Sequence, residues 1–151
     1  MPHSGARYSE IVPLVWVMLN PSTADDQQDD PTIRRVKSFT QAFGYQRLIV
    51  VNLFPYRATS PADLKLAPDP FDILHDYNRK AWRAAAALLG DEGKIVCAWG
   101  SHGTFRRAWE DFVIFRRHGL HHLGLTKSGQ PKHPLYLPGD TPLIEWENPL
   151  S

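Results

Sequence analysis

Short unbroken apolar runs alternate along the chain with longer segments in which apolar residues recur every three to four positions. Apolar runs of this length that stop at polar residues are typical of strands buried on both faces of a parallel sheet. We predict four such strands, at 14–19, 48–54, 94–99 and 120–123. The stretch 142–146 is predicted to be either an edge strand or an extended tail.

Helical periodicity occupies the intervals between these strands. Asp30 followed by Pro31 is typical of an N-cap and a proline in the first turn, and apolar residues then recur at helical spacing as far as Gly44. Further helices are predicted over 70–89 and 105–113. The apolar stripe of the second helix is predicted to consist of Ile73, Leu74, Tyr77, Ala81, Ala84 and Leu88.

Strands that alternate with helices define an α/β domain, and the crossovers between parallel strands should be right-handed. The predicted fold is therefore a three-layer α/β/α sandwich with a central four-stranded parallel sheet. A length of 151 residues suits one hydrophobic core, and no repeat or low-complexity linker divides the sequence. We expect residues 1–151 to form a single α/β domain.

Composition indicates an ordinary globular protein, with 42% hydrophobic and 22% charged residues. No apolar run is long enough to span a bilayer, and residues 1–7 lack the apolar core of a signal peptide. We therefore predict a cytoplasmic protein with no membrane partner. The single cysteine, Cys97, excludes an internal disulfide and is expected to be inert core, because it lies inside a predicted strand.

The formal net charge of +1 does not by itself indicate a nucleic-acid partner. Basic residues nevertheless concentrate in the later part of the chain, at 106–107, 116–118 and 127–133, where either a phosphate-contacting face or scattered solvated charge explains them. Four aspartates lie between residues 25 and 30. A solvated loop with Asp30 as the helix cap is favoured over a divalent-cation site, so neither a metal nor a cofactor is predicted.

Polar side chains follow the carboxyl end of each predicted strand, and the carboxyl edge of an open α/β sheet is where ligands bind. An amide there offers both a donor and an acceptor to a base edge or a water, and an aromatic ring can stack on a planar ligand. The candidate site residues are Asn20, Pro21, Ser22, Thr23, Asn52, Phe54, Arg57, Gly100, Ser101, Lys132, His133 and Pro134.

Structural roles compete with these functional ones. An asparagine before a proline, as at Asn20, is typical of a turn, and Asn52 can fix adjacent loops. Arg57 either binds phosphate or caps a helix, and His133 is either a site residue or a solvated loop histidine. The segment 100–103 resembles a phosphate-binding turn but lacks the lysine of a Walker loop.

Several segments together resemble the bacterial and phage family called domain of unknown function 1643. The resemblance is carried by residues 19–24, 29–35, 51–54, 57–59, 98–103 and 123–136. It covers nearly the whole chain, and the family name implies no activity.

A more distant resemblance is to the uracil-DNA glycosylase superfamily. In the branch that acts on mismatched uracil and thymine, the first strand ends in Gly-Ile-Asn-Pro-Gly, and the asparagine orients the attacking water. Asn20 and Pro21 match this motif, whereas Ser22 replaces the final glycine. The resemblance implies a uracil-DNA glycosylase-like fold in which Asn20 orients the water.

Two further segments extend the resemblance to this superfamily. His133 and Pro134 match the start of a His-Pro-Ser motif on a loop that enters the minor groove, and Leu135 replaces the serine. The superfamily's second strand often carries a base-reading asparagine before a proline-rich loop, to which Asn52 is similar. The resemblance implies that His133 is catalytic and that Asn52 recognises a base.

The resemblance implies a protein that recognises a nucleobase or nucleotide, acting as a DNA glycosylase-like hydrolase on a damaged or modified base. Such an enzyme flips the base out of the stack, where Asn52 and Phe54 would hold it, and His133 would stabilise the charge of the departing base. The residues expected to contact phosphate or the backbone are Pro21, Ser22, Ser101, Arg57 and Lys132. Two alternatives stay open, a hydrolase or transferase of free nucleosides or nucleotides and a non-catalytic nucleic-acid-binding module.

Overall fold

The computed structural model of this protein describes residues 12–19, 30–53, 73–89, 93–100 and 118–147. The elements in these ranges are strand β1 (Leu14–Met18), helix α1 (Pro31–Ala42), strand β2 (Leu48–Asn52), helix α2 (Ile73–Leu89), strand β3 (Lys94–Cys97), strand β4 (Gly119–His122), a 3₁₀ turn (Pro134–Tyr136) and strand β5 (Ile144–Glu145). The predicted helix over 105–113 lies outside the described residues.

The strands form one five-stranded sheet in the order β2-β1-β3-β4-β5. The first four strands run parallel, and β5 pairs antiparallel with β4. The mixed α/β class and the parallel pairing of the four predicted strands are therefore confirmed. The predicted total of four strands is wrong by one, because the segment 142–146 contributes an edge strand, which was one of its two predicted conformations.

The side chains of alternate β1 residues lie on opposite faces of the sheet. Val15 and Val17 belong to a cluster that contains Trp82 of α2, whereas Trp16 belongs to a second cluster that contains Phe39 of α1. Side chains of α2 therefore pack on one face and side chains of α1 on the other, which explains why β1 is buried along its whole length. Burial of each large apolar side chain contributes about 1.5–3 kcal/mol, so this central strand is a major source of stability.

Helix α1 begins and ends at the residues that the sequence predicts. The Asp30 carboxylate accepts hydrogen bonds from the backbone N–H groups of Thr32 and Ile33, at 2.8 and 3.3 Å, which satisfies donors that have no partner within the helix. After Ala42 the chain turns at Gly44, which has a φ of 88°, a conformation that favours glycine.

Helix α2 presents a different face to the sheet from the one predicted. In its described part, residues 80–89, the fully buried side chains are Trp82, Ala85 and Leu89, whereas the predicted Ala81, Ala84 and Leu88 are exposed. The buried set lies one residue later because it contains Trp82, whose indole N–H donates a 2.7 Å hydrogen bond to the Asn52 carbonyl in β2. The predicted start of this helix at residue 70, and the side chains of the rest of the predicted stripe, lie outside the described residues.

Cys97 belongs to the core, as predicted. Cys97 lies fully buried in β3, and burial raises the pKa of its thiol well above the ordinary value, so its assignment to inert core is confirmed.

In the described part of the chain, neither helix combines the length and the hydropathy needed to cross a bilayer.

Candidate functional site

The carboxyl ends of the parallel strands lie at one edge of the sheet. Met18 pairs with Asn52 at the end of β1 and β2, and the next residue, Leu53, donates its N–H to the Met18 carbonyl at 2.9 Å. On the other side of β1, Ala98 donates its N–H to the Val17 carbonyl, also at 2.9 Å. Backbone pairing therefore continues to the edge, where the segments after the strands begin.

The structure describes five of the predicted site residues at or beside this edge. These are Asn52, Gly100, Lys132, His133 and Pro134. The other candidates, Asn20, Pro21, Ser22, Thr23, Phe54, Arg57 and Ser101, lie outside the described residues. The described geometry of the site consequently centres on the segment that carries His133.

His133 lies directly beside the end of β3. The Gly100 N–H donates a 2.9 Å hydrogen bond to the Pro131 carbonyl, and a Cβ built on Gly100 would lie 3.9 Å from that of His133. His133 precedes the 3₁₀ turn, and its Nδ1 accepts a 3.2 Å hydrogen bond from the Leu135 N–H. His133 is thus half-buried and caps the turn, rather than lying fully in solvent.

The environment of His133 keeps its imidazole neutral near pH 7. Burial lowers its pKa from the ordinary value of 6.5, and the nearby Asp30 carboxylate opposes that change with a smaller effect. Since Nδ1 of the neutral ring accepts the bond from Leu135, the ring proton lies on Nε2. His133 is therefore an uncharged hydrogen-bond donor at the edge of the sheet.

Asp30 belongs to the same site, although the sequence analysis assigned it only as a helix cap. Its side chain is buried, with 5% of its surface exposed, and its charge acts on His133. Helix α1 follows β1 and runs back along the sheet, so its first residues lie at the carboxyl edge. The predicted order of strand and helix therefore implies, from the sequence alone, that Asp30 lies at this edge.

The packing of α1 against the 3₁₀ turn joins the segment that begins at Asp30 to the segment that carries His133. The Arg35 guanidinium of α1 donates a hydrogen bond to the Leu137 carbonyl, immediately after the turn. The same guanidinium lies over the Phe39 ring, with its central carbon 5.1 Å from the ring centroid. Arg35 thus joins the helix capped by Asp30 to the segment that carries His133.

A hairpin loop over residues 124–132 positions His133 from the other side. Leu125 and Pro131 form an antiparallel bridge at its base. Its backbone hydrogen bonds join Thr126 to Gln130, Gly129 to Thr126 and Lys132 to Gly124, at 2.8 to 2.9 Å. The buried Gln130 accepts a 2.8 Å hydrogen bond from the Trp99 indole, which ties the loop to the end of β3. Neither Trp99 nor Gln130 was predicted as part of the site, because their pairing depends on the tertiary fold.

Gly124 allows the Lys132 side chain to lie close to the backbone. Gly124 has a φ of 122°, and a Cβ at this position would lie 3.3 Å from Lys132 Cδ. The aliphatic part of Lys132 therefore packs over Gly124, whereas the residue as a whole is exposed. This packing fixes the direction of the first part of the lysine side chain.

In His122, as in His133, Nδ1 accepts a hydrogen bond from the backbone N–H two residues later. The buried His122 accepts a 2.9 Å hydrogen bond at Nδ1 from the Gly124 N–H, and the edge of its ring meets Trp146 at a centroid distance of 5.9 Å. Burial lowers the pKa of His122, and the neighbouring His121 lowers it further. In the described ranges, no group of three or more His, Cys, Asp or Glu side chains is placed to hold a metal ion.

Acidification is expected to destabilise the protein through its buried histidines. The folded-state pKa values of His122 and His133 lie below the ordinary value of 6.5, so the unfolded chain binds more protons as the pH falls through 6.5. The free energy of unfolding, measured by urea denaturation, should therefore decrease between pH 7 and pH 5. His133→Asn keeps a cap acceptor for the Leu135 N–H and removes the titrating ring, so this variant should lose less stability over that interval. Equal losses in the variant and the wild type would contradict this assignment for His133.

The fold and this edge define a mixed α/β protein with a mostly parallel five-stranded sheet and a polar site at its carboxyl edge. Residues 7–135 match the family described as "Protein of unknown function (DUF1643)", and the chain belongs to this family. The resemblance to that family noted from its motifs is thus confirmed. Comparisons with curated proteins and with solved structures gave no significant match.

Proposed function

We propose that the protein recognises a nucleobase or nucleotide at the carboxyl edge of its sheet. We further propose that it is a DNA glycosylase-like hydrolase that excises a damaged or modified base, on a three-layer α/β/α fold of the uracil-DNA glycosylase type. The observation that carries the proposal is the half-buried His133, which is neutral and has its proton on Nε2. Its location beside the end of β3 matches the position at which α/β proteins bind ligands.

The chemistry of base excision suits this histidine. Water adds to the sugar carbon while the C–N bond breaks, the electron pair of that bond passes to the departing base, and the proton that the water loses passes to solvent and finally to the base. A neutral donor in a partly water-excluded position can stabilise the resulting negative charge. Because the donor itself is uncharged, its burial does not require the desolvation of a charge. Because Nδ1 of His133 is occupied by the Leu135 N–H, Nε2 is the ring atom that can donate to the base.

The order of the strands places β1 between the two described polar residues. Asn52 ends β2, His133 lies beside the end of β3, and β1 runs between these strands. Neighbouring strands are about 4.8 Å apart, so about 10 Å separates the outer two. In the proposed mechanism Asn52 reads the base from one side, His133 donates from the other, and Asn20, which follows β1 in the sequence, orients the water.

A non-catalytic nucleic-acid-binding module is the second candidate, and the hydrogen bonding of Asp30 favours it. Asp30 is the described carboxylate that acts on His133, and its Oδ1 accepts both cap hydrogen bonds of α1. A carboxylate held in this way has a structural role at the helix terminus, so no part in activating water is assigned to it. In this case the edge would bind a base or nucleotide without reaction.

The test is a panel of DNA oligonucleotides that carry deaminated or otherwise modified bases, assayed for abasic sites. We expect the wild type to release at least one of these bases. Asn20→Ala, His133→Ala and His133→Asn should each lower the rate at least ten-fold, since each removes a group that acts in the transition state. His133→Asn keeps the cap of the 3₁₀ turn, so a loss of activity in this variant separates chemistry from folding.

Lys94→Ala is the matched control for this assay. Lys94 is exposed at the first residue of β3, at the opposite edge of the sheet from His133, and its substitution should leave the rate unchanged. Absence of release from every base, together with tight nucleotide binding, would exclude the glycosylase and support the non-catalytic module.

A further inference from the structure

The 3₁₀ turn after His133 presents a fully accessible aromatic side chain. Tyr136 is 90% exposed, whereas Pro134 in the same turn is buried. The turn is held by the His133 cap bond and by the Arg35 hydrogen bond to the Leu137 carbonyl. The phenol ring therefore projects from a fixed segment beside the candidate site, rather than from a loose loop.

The segments that adjoin the turn carry a net positive charge. The ranges 30–42 and 124–140 contain five basic residues and two acidic residues, which gives a formal charge of +3, compared with +1 for the whole chain. The basic residues are Arg34, Arg35, Lys37, Lys127 and Lys132. Of the acidic residues, Asp30 is buried and Asp140 is exposed. The exposed charge of these two segments is therefore mainly positive.

The two lysines of the hairpin loop lie within a well-ordered backbone. Lys127 and Lys132 are exposed, and the bonds that join Thr126 to Gln130 and Lys132 to Gly124 fix the loop that carries them. The aliphatic part of Lys132 packs over Gly124. Charged groups on a fixed scaffold lose less conformational entropy when they bind than groups on a disordered tail.

We infer that Tyr136, Lys127 and Lys132 form a surface that binds single-stranded nucleic acid next to the candidate site. This inference rests on the proposed function, and it assigns a strand rather than a free nucleotide as the ligand. An unpaired base offers an open face on which an exposed ring can stack, and the adjacent phosphates are neutralised by lysines. A duplex hides the faces of its bases, and a mononucleotide has no flanking phosphates for the hairpin loop to contact.

The experiment measures binding by fluorescence anisotropy with labelled single strands of thymidylate DNA and uridylate RNA, a blunt DNA duplex, and thymidine monophosphate as a competitor. We expect single strands to bind more tightly than the duplex or the monophosphate. Tyr136→Ala should weaken strand binding about ten-fold, and Tyr136→Phe should retain it, because stacking needs the ring and not the hydroxyl. Lys132→Ala should reduce the slope of log K against log salt concentration by about 0.7, which corresponds to one lost phosphate contact.

Two control variants also replace exposed side chains. Leu88→Ala removes an exposed apolar side chain from α2, and Lys94→Ala removes an exposed lysine from the opposite edge of the sheet, so neither should alter binding. Affinity for the monophosphate or the duplex equal to that for the strands, or strand binding unchanged in Tyr136→Ala, would overturn the inference while leaving base recognition intact. Absence of binding to all of the ligands would overturn both proposals, and comparison of the DNA and RNA strands identifies the preferred sugar.

Discussion

Replacement of Trp99 by alanine is expected to lower the free energy of unfolding by about 3–5 kcal/mol. Trp99 is 1% exposed and packs against Trp146 at a ring-centroid distance of 5.9 Å, so truncation leaves a cavity beside the sheet. Its indole N–H also donates to the buried Gln130, which would lose that partner. Urea denaturation at neutral pH measures the change.

Trp99→Phe separates the two contributions of this side chain. It keeps most of the ring and removes the N–H donor, so it should cost about 1–3 kcal/mol, the range expected when a buried acceptor loses its donor. A cost below 1 kcal/mol for Trp99→Ala would show that Trp99 does not anchor the hairpin loop to β3.

Gly93→Ala is expected to destabilise the protein by about 2–3 kcal/mol. Gly93 immediately precedes β3, and a Cβ at this position would lie 2.4 Å from Leu89 Cβ at the end of α2. Leu89 is fully buried, and its Cβ is attached directly to the helix backbone. This atom therefore cannot move aside without disturbing the core on that face of the sheet. Thermal or chemical denaturation measures the loss.

The matched control for this substitution is Gly139→Ala. The nearest atom to a Cβ at Gly139 is Arg35 Nη1, at 4.0 Å, which is ordinary contact with the end of a side chain. Its stability should stay within about 0.5 kcal/mol of the wild type. If Gly93→Ala were equally harmless, close packing between α2 and β3 would be disproved.

The strands and the first helix were predictable because their signals are local. A strand buried on both faces must be apolar at every position, and β1 (Leu14–Met18) shows that pattern without interruption. The start of α1 follows from Asp30 and Pro31, and its end from Gly44, since each of these residues has a specific backbone or capping role. The location of the site edge followed in turn from the parallel order of the strands.

Features that depend on distant parts of the chain were not predictable in the same way. In α2 two adjacent stripes are both apolar, so periodicity could not decide between Leu88 and Leu89, and the location of Trp82 under β2 decided it. The effect of Asp30 on His133 depends on packing between α1 and a turn near the other end of the chain. Strand β5 has only two residues, too few to show an alternating pattern.

The division of the core by the sheet has a consequence for how the sequence can diverge. Val17 and Trp16 are neighbours in the chain, yet they belong to clusters on opposite faces, one facing α2 and the other α1. A change of side-chain volume on one face is therefore compensated by residues of that same face. Substitutions on the Trp82 side and on the Phe39 side can therefore accumulate independently, whereas β1 and β3 contribute residues to both clusters and are constrained on both faces.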